Sequence, residues 1–103
     1  MKMNREMMRQ IQQMQSRLAK AQQELQNKTA EGSAGGGAVK IVLSGDFRVL
    51  SLTIAPEVID PDDVEMLQDL VTAALNEALH KAQALQSEHL SGLAAGLRLP
   101  GMP

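Results

Sequence analysis

Apolar and polar positions alternate with a period of two along Val39–Ile54. Val39, Ile41 and Leu43 alternate with Lys40 and Ser44, and Leu50, Leu52 and Ile54 alternate with Ser51 and Thr53. Successive side chains on a strand point to opposite faces, so these runs predict an antiparallel hairpin with one strongly apolar face. Gly45-Asp46 between them suits a tight reversal, because glycine reaches positive φ without steric cost. A lone hairpin is marginal in water. Its apolar face needs a cover, and helical patterns flank it on both sides.

The pattern before the hairpin is helical. Met7, Ile11, Met14, Leu18, Ala21 and Leu25 recur at alternating steps of four and three, and no Gly or Pro interrupts residues 3–27. That is a coiled-coil-type seam, with Met3 and Met8 widening its N-terminal end and Gln, Arg, Lys and Glu filling the remaining surface. A helix of about 25 residues spans roughly 37 Å, whereas an eight-residue strand spans roughly 27 Å. Part of this helix is therefore expected to project beyond the sheet.

Residues 28–38 offer a short additional strand and then Gly35-Gly36-Gly37, which permits bends or bulges on entry to the sheet. Ala30 is a weak strand former and argues mildly against a regular first strand. After the hairpin, Ala55–Ile59 is a connector. Asp60 suits an N-cap, Pro61 suits the first helical position, and Asp62, Asp63 and Glu65 favour the positive end of a helix dipole. A second helix is predicted over about 61–90, with Val64, Leu67, Leu70, Val71, Leu75, Leu79 and Leu85 on a broad apolar face. Ala74, Ala78 and Ala82 on the same face allow close approach. Gly92 is a candidate for ending this helix, although Leu93–Leu99 can prolong it. The predicted layout is one domain, residues 1–98: helix about 3–27, sheet about 28–55, helix about 61–90, then a loose tail at 99–103.

Composition changes this picture in one respect. The 103 residues include one Phe, no Trp, no Tyr and no Cys, so the core must come from Leu, Val, Ile, Met and Ala. A small chain without aromatic bulk or disulfides often needs a second copy to bury enough surface. Zero Cys fits a reducing compartment, no apolar run approaches membrane-spanning length, and no secretion signal follows Lys2. The expectation is a soluble cytoplasmic protein with no membrane partner. Net charge is −2, but residues 1–28 hold six cations and two acids while residues 29–103 hold four cations and ten acids. A basic front on an acidic body fits an element that meets nucleic acid; it also fits a solvated helix that meets acids of its own protein.

Candidate chemistry is sparse. The glycine loop leads into a strand and lacks Gly-Lys-Ser/Thr, so it does not predict a nucleotide site. The acids at 60–65 are explained as helix caps rather than a metal site. Glu77 and His80 have the Glu-x-x-His spacing of bundle metal sites, but no further inward glutamate accompanies them. His80 and His89 lie nine positions apart, on opposite helix faces, and do not make a ligand pair. The expectation is a non-enzyme with no metal, no cofactor and no small-molecule substrate. No aromatic side chain is available for stacking on bases, so any DNA contact should be to phosphates of a duplex.

Several stretches resemble a known family. They are Glu31-Gly32-Ser33-Ala34-Gly35-Gly36-Gly37-Ala38-Val39-Lys40, Gly45-Asp46, Pro56-Glu57-Val58, Asp60–Val71 with its Asp-Asp-Val-Glu-Met-Leu run, Ala73-Ala74, Asn76-Glu77-Ala78 and the closing Gly96–Met102. Together they are similar to the YbaB/EbfC nucleoid-associated proteins over nearly the whole chain. The resemblance implies an α+β fold: an α-β-β-β-α protomer with a small antiparallel sheet flanked by two long helices. It also implies an intertwined homodimer whose helical arms project from a shared sheet, and a bacterial, cytoplasmic, nucleoid-associated protein that binds DNA. The family has no short DNA-reading motif to transfer. Charge and exposure therefore nominate Arg5, Arg9, Arg17 and Lys20 as contacts to double-stranded DNA. Met7, Ile11, Met14, Leu18 and Leu25 are the expected dimer or helix seam. The competing reading is a protein-interaction module or small chaperone that grips a partner helix with the same Met-rich seam.

Overall fold

The computed structural model describes residues 4–96. Its element order is α1 (Arg5–Asn27), β1 (Thr29–Ala34), β2 (Val39–Ser44), β3 (Val49–Ile54), a single 3-10 turn (Pro56–Val58) and α2 (Val64–Gly96). The strands form one antiparallel sheet in the order β1-β2-β3. This is the expected α-β-β-β-α arrangement. Met3 and the 99–103 tail lie outside the described residues.

Register explains where the core sits. Ala30 faces Leu43 across β1 and β2, Gly32 faces Ile41, and Ala34 faces Val39. Val39 in turn pairs with Ile54 and Ile41 with Leu52. Opposed residues of antiparallel strands share a face, so one apolar layer runs across the whole sheet. α2 covers this layer on β1 and β2. Val39, Ile41 and Leu43 are buried there against Ala74, Ala78 and Ala82. The contact is close because the residues are small. A Cβ on Gly32 would lie 2.1 Å from the Ala74 carbonyl oxygen and 2.5 Å from the Ala78 amide nitrogen. Ala30 is thus an asset in a regular six-residue strand, since bulk at that position would hold the helix off.

The structure departs from the sequence pattern at four places. Gly45 does not take positive φ; Phe47 does, at 67°. Gly45 is needed instead because its amide donates to the carbonyls of Leu25 and Lys28, both at 2.9 Å, and a Cβ there would lie 2.5 Å from the Leu25 oxygen. The β2–β3 turn is held by Ser44, whose hydroxyl donates to Asp46 and accepts from the Arg48 amide at 3.0 Å. Leu50 leaves the expected alternation, because a bulge makes Leu43 pair with Val49 directly after Val42 pairs with Ser51.

The second helix starts at Val64 rather than near 61. Asp60 accepts from the Asp62 amide at 2.9 Å and closes a turn, while Asp63 accepts from the Met66 amide at 3.2 Å and caps the helix. The same helix runs through Gly92 to Gly96 instead of ending near 90. Gly92 is exposed with open space around it, while Leu90 and Leu93 beside it line a cleft shared with Ala21 and Leu25 of α1. Glycine inside a helix costs only about 1 kcal/mol relative to alanine, too little by itself to end α2 there.

α1 is the element that makes the molecule long. Asn4 caps it by accepting from the Met7 amide at 2.7 Å. Only its last turns meet the body, where Ala21 is buried. The radius of gyration is 20.4 Å, against about 13 Å for a compact chain of this length.

Candidate nucleic-acid interface

The arm presents two different faces. At about 100° per residue, Arg5, Arg9, Arg17 and Lys20 fall within an arc of about 120°. The seam residues Met7, Ile11, Met14, Leu18, Ala21 and Leu25 are centred about 145° away from that arc. All four cations are exposed, and among the described residues none is in an ion pair. They have the reach and freedom to meet an external anion.

Two carboxylates share that arc. Glu6 and Glu24 have the same azimuth, between Lys20 and Arg17, so neither lies off the basic face. Glu24 is not free, however. His89 of α2 brings Nε2 to 3.6 Å from its Oε2. The contact sits where the arm meets the body, beside a cleft of about 320 Å³ lined by Arg17, Lys20, Lys28 and Glu88 as well as the pair itself. Sequence reading placed His89 only relative to His80. Its contact with α1 needed the crossing of the two helices, which no periodicity encodes.

The seam is mostly uncovered. Met7, Ile11, Met14 and Leu18 are each 43–53% exposed, and only Leu25 and Ala21 near the sheet are drawn in. β3 is uncovered too: Val49, Leu50 and Leu52 are 50–62% exposed, and Phe47 at the adjoining turn is 39% exposed. β3 is an edge strand with no charge and no proline, the kind of edge that soluble proteins usually protect. The single chain thus carries a basic face on one side of the arm and unfilled apolar surface on the arm's other side and on the sheet edge.

Other nominated chemistry does not assemble. Glu77 pairs with Lys81 at 3.1 Å, and His80 is exposed beside it. Among the described residues no three potential ligands gather around a point. No helix of the described residues is long and apolar enough to cross a membrane. Gly35, Gly36 and Gly37 all take positive φ and close the β1–β2 turn, where the Ala38 amide donates to the Gly35 carbonyl at 3.3 Å.

Comparison with known proteins agrees with this geometry. Residues 1–97 match the model of the YbaB/EbfC DNA-binding family. A nucleoid-associated protein of Ruminiclostridium cellulolyticum is 55% identical over 97 residues, covering 93% of this chain and 84% of that protein. One of Pelotomaculum thermopropionicum is 50% identical over 96 residues, covering 93% and 91%. Among solved structures, an uncharacterized protein from Helicobacter pylori superposes with a TM-score of 0.77 at 16% identity, covering 90% of this chain and 99% of that one. At that identity the likeness speaks for the fold.

Proposed function

Because the chain belongs to the YbaB/EbfC DNA-binding family, we propose that it acts as a homodimer that binds duplex DNA through phosphate contacts from Arg5, Arg9, Arg17 and Lys20. In this reading residues 1–98 work as one domain in the bacterial cytoplasm, at the nucleoid, with a role in nucleoid organisation or gene regulation and no catalytic step. The observation that carries it is the two-faced arm. Four cations that have no ion-pair partner among the described residues lie on one side of a helix whose other side is apolar and exposed. A second copy meeting the seam, Met7, Ile11, Met14, Leu18 and Leu25, and the open β3 edge fills the apolar surface and leaves the basic faces outward.

Phosphate contacts make affinity fall with salt, by a slope of about −0.9 per phosphate neutralised on duplex DNA. They also make it indifferent to sequence. The test is a mobility-shift titration with unrelated duplexes at several salt concentrations. The wild type should bind all of them with a steep salt dependence. Replacing Arg5, Arg9, Arg17 and Lys20 by Ala should weaken binding uniformly and flatten that slope. A folded quadruple variant with unchanged affinity would refute the residue assignment.

The exposed seam favours one other reading, a module that grips a partner protein's helix. It predicts no salt-sensitive DNA binding, so the same titration separates the two.

A further inference from the structure

The junction of arm and body contains a polar atom without a partner. His89 Nε2 is sealed from solvent and makes no hydrogen bond among the described residues, although the side chain as a whole keeps 13% exposure. The nearest counter-group is the Glu24 carboxylate, 3.6 Å away and itself about half exposed. α1 has few other fastenings: the buried Ala21, and the carbonyls of Leu25 and Lys28 that accept from the Gly45 amide. Beyond Ala21 toward its N-terminus every described residue of α1 is exposed. Within one chain the arm is therefore fastened to the body by a handful of contacts at its base, and one of them is a histidine–carboxylate pair.

We propose that His89 is a positioning residue for the DNA-contacting arm, clasping α1 to α2 through Glu24 when its imidazole is protonated. The inference rests on the DNA-binding reading above and adds a proton dependence to it. Protonation makes both ring nitrogens donors and gives His89 a positive charge. The 3.6 Å contact then becomes a charge-assisted one, with the imidazole nitrogen sealed from solvent and the carboxylate about half exposed. Two consequences follow together. The arm is held more firmly, so less conformational freedom is lost on binding DNA. Glu24, which lies between Lys20 and Arg17 on the basic arc, is also neutralised as a source of repulsion for phosphate.

The other charges facing His89 determine the balance. Arg17, Lys20 and Lys28 approach from α1 and its end, and oppose a further positive charge. Glu88 on α2 and Asp46 on the β2–β3 turn favour one. Among the described residues only Glu24 lies within ion-pair distance of the imidazole. It is also the acid that joins His89 to the moving element.

The experiment uses the full-length protein at constant ionic strength, between pH 8 and pH 6, where histidine is the side chain that titrates. Duplex affinity should rise about threefold on lowering the pH, as a single partly exposed ion pair allows. H89Q should give a flat profile while remaining folded by circular dichroism. E24Q should flatten it too, because the clasp needs both partners. If E24Q keeps the full pH dependence, His89 is touching phosphate directly and the clasp is wrong. If H89Q keeps it, another group is responsible and the proposal falls.

A second readout needs no DNA. The chain has no cysteine, so Q15C introduces a unique attachment point for a spin label on the arm. Label mobility should drop from pH 8 to pH 6 in an otherwise wild-type background and not with H89Q. A pH-independent label would overturn the clasp even if DNA is bound. A pH-dependent label in a protein that binds no DNA would uphold the clasp and overturn the functional reading.

Discussion

The two long helices of this chain meet their sheet in opposite ways. α2 lies on β1 and β2 through alanines, and its backbone comes so near Gly32 that no Cβ fits between them. α1 carries larger apolar residues at a comparably regular spacing, yet most of them stay half exposed. Periodicity is therefore not what decides whether a helix is buried within its own chain. Small residues on both elements let α2 approach closely, and the dispersion contacts of a close approach accumulate. Methionine and leucine on a narrow seam suit the grooves of another helix better than a strand of glycine and alanine. The layer of α2 on β1 and β2 is filled within one copy, whereas the arm's seam and the β3 edge are left open.

That contrast can be broken most severely at its tightest point. Gly32→Val places side-chain atoms inside the α2 backbone and is expected to cost about 3 kcal/mol or more, read as a large drop in the urea midpoint. Wild-type stability would mean that α2 does not sit where described. A paired deletion compares the two regions more finely. Leu43→Ala empties a site that is 1% exposed and should cost about 3 kcal/mol. Leu18→Ala, at 48% exposure, should leave the protomer within about 0.5 kcal/mol of wild type. Its effect should appear instead as weaker association on dilution. The smallest effect is expected at Phe47. A left-handed φ costs a non-glycine residue about 1 kcal/mol or more, so Phe47→Gly should raise the melting temperature slightly, provided the ring's partial burial is a minor term. A marked loss of stability would show that the ring is anchored.

Much of this architecture was legible in the pattern of side chains. Alternation marked β2 and β3, the seam marked α1 with its projecting end, and the alanines at 74, 78 and 82 announced close approach. What failed was local chemistry with two equivalent solutions. Asp60 and Asp63 both look like caps, and only the hydrogen bonds show that the first closes a turn and the second starts α2. Gly45 looks like a positive-φ residue, but the constraint that selects glycine there is the carbonyl of Leu25, contributed by an element twenty residues upstream. The bulge at Leu50 is invisible because the apolar alternation continues through it. The basic residues were legible as a cluster, since helical geometry alone puts all four in one arc. Glu24 was not, because its partner His89 lies on the far side of the sheet in sequence and meets it only where the two helices cross.

The central claim is that the uncovered seam and β3 edge belong against a second copy, with the basic faces outward. Sedimentation of the full chain across a wide range of dilution tests it most directly. A homodimer should sediment as an elongated species of twice the 11.1 kDa chain mass that persists into the low micromolar range. A compact monomer that resists dilution effects, with the arm folded onto its own sheet, would contradict it.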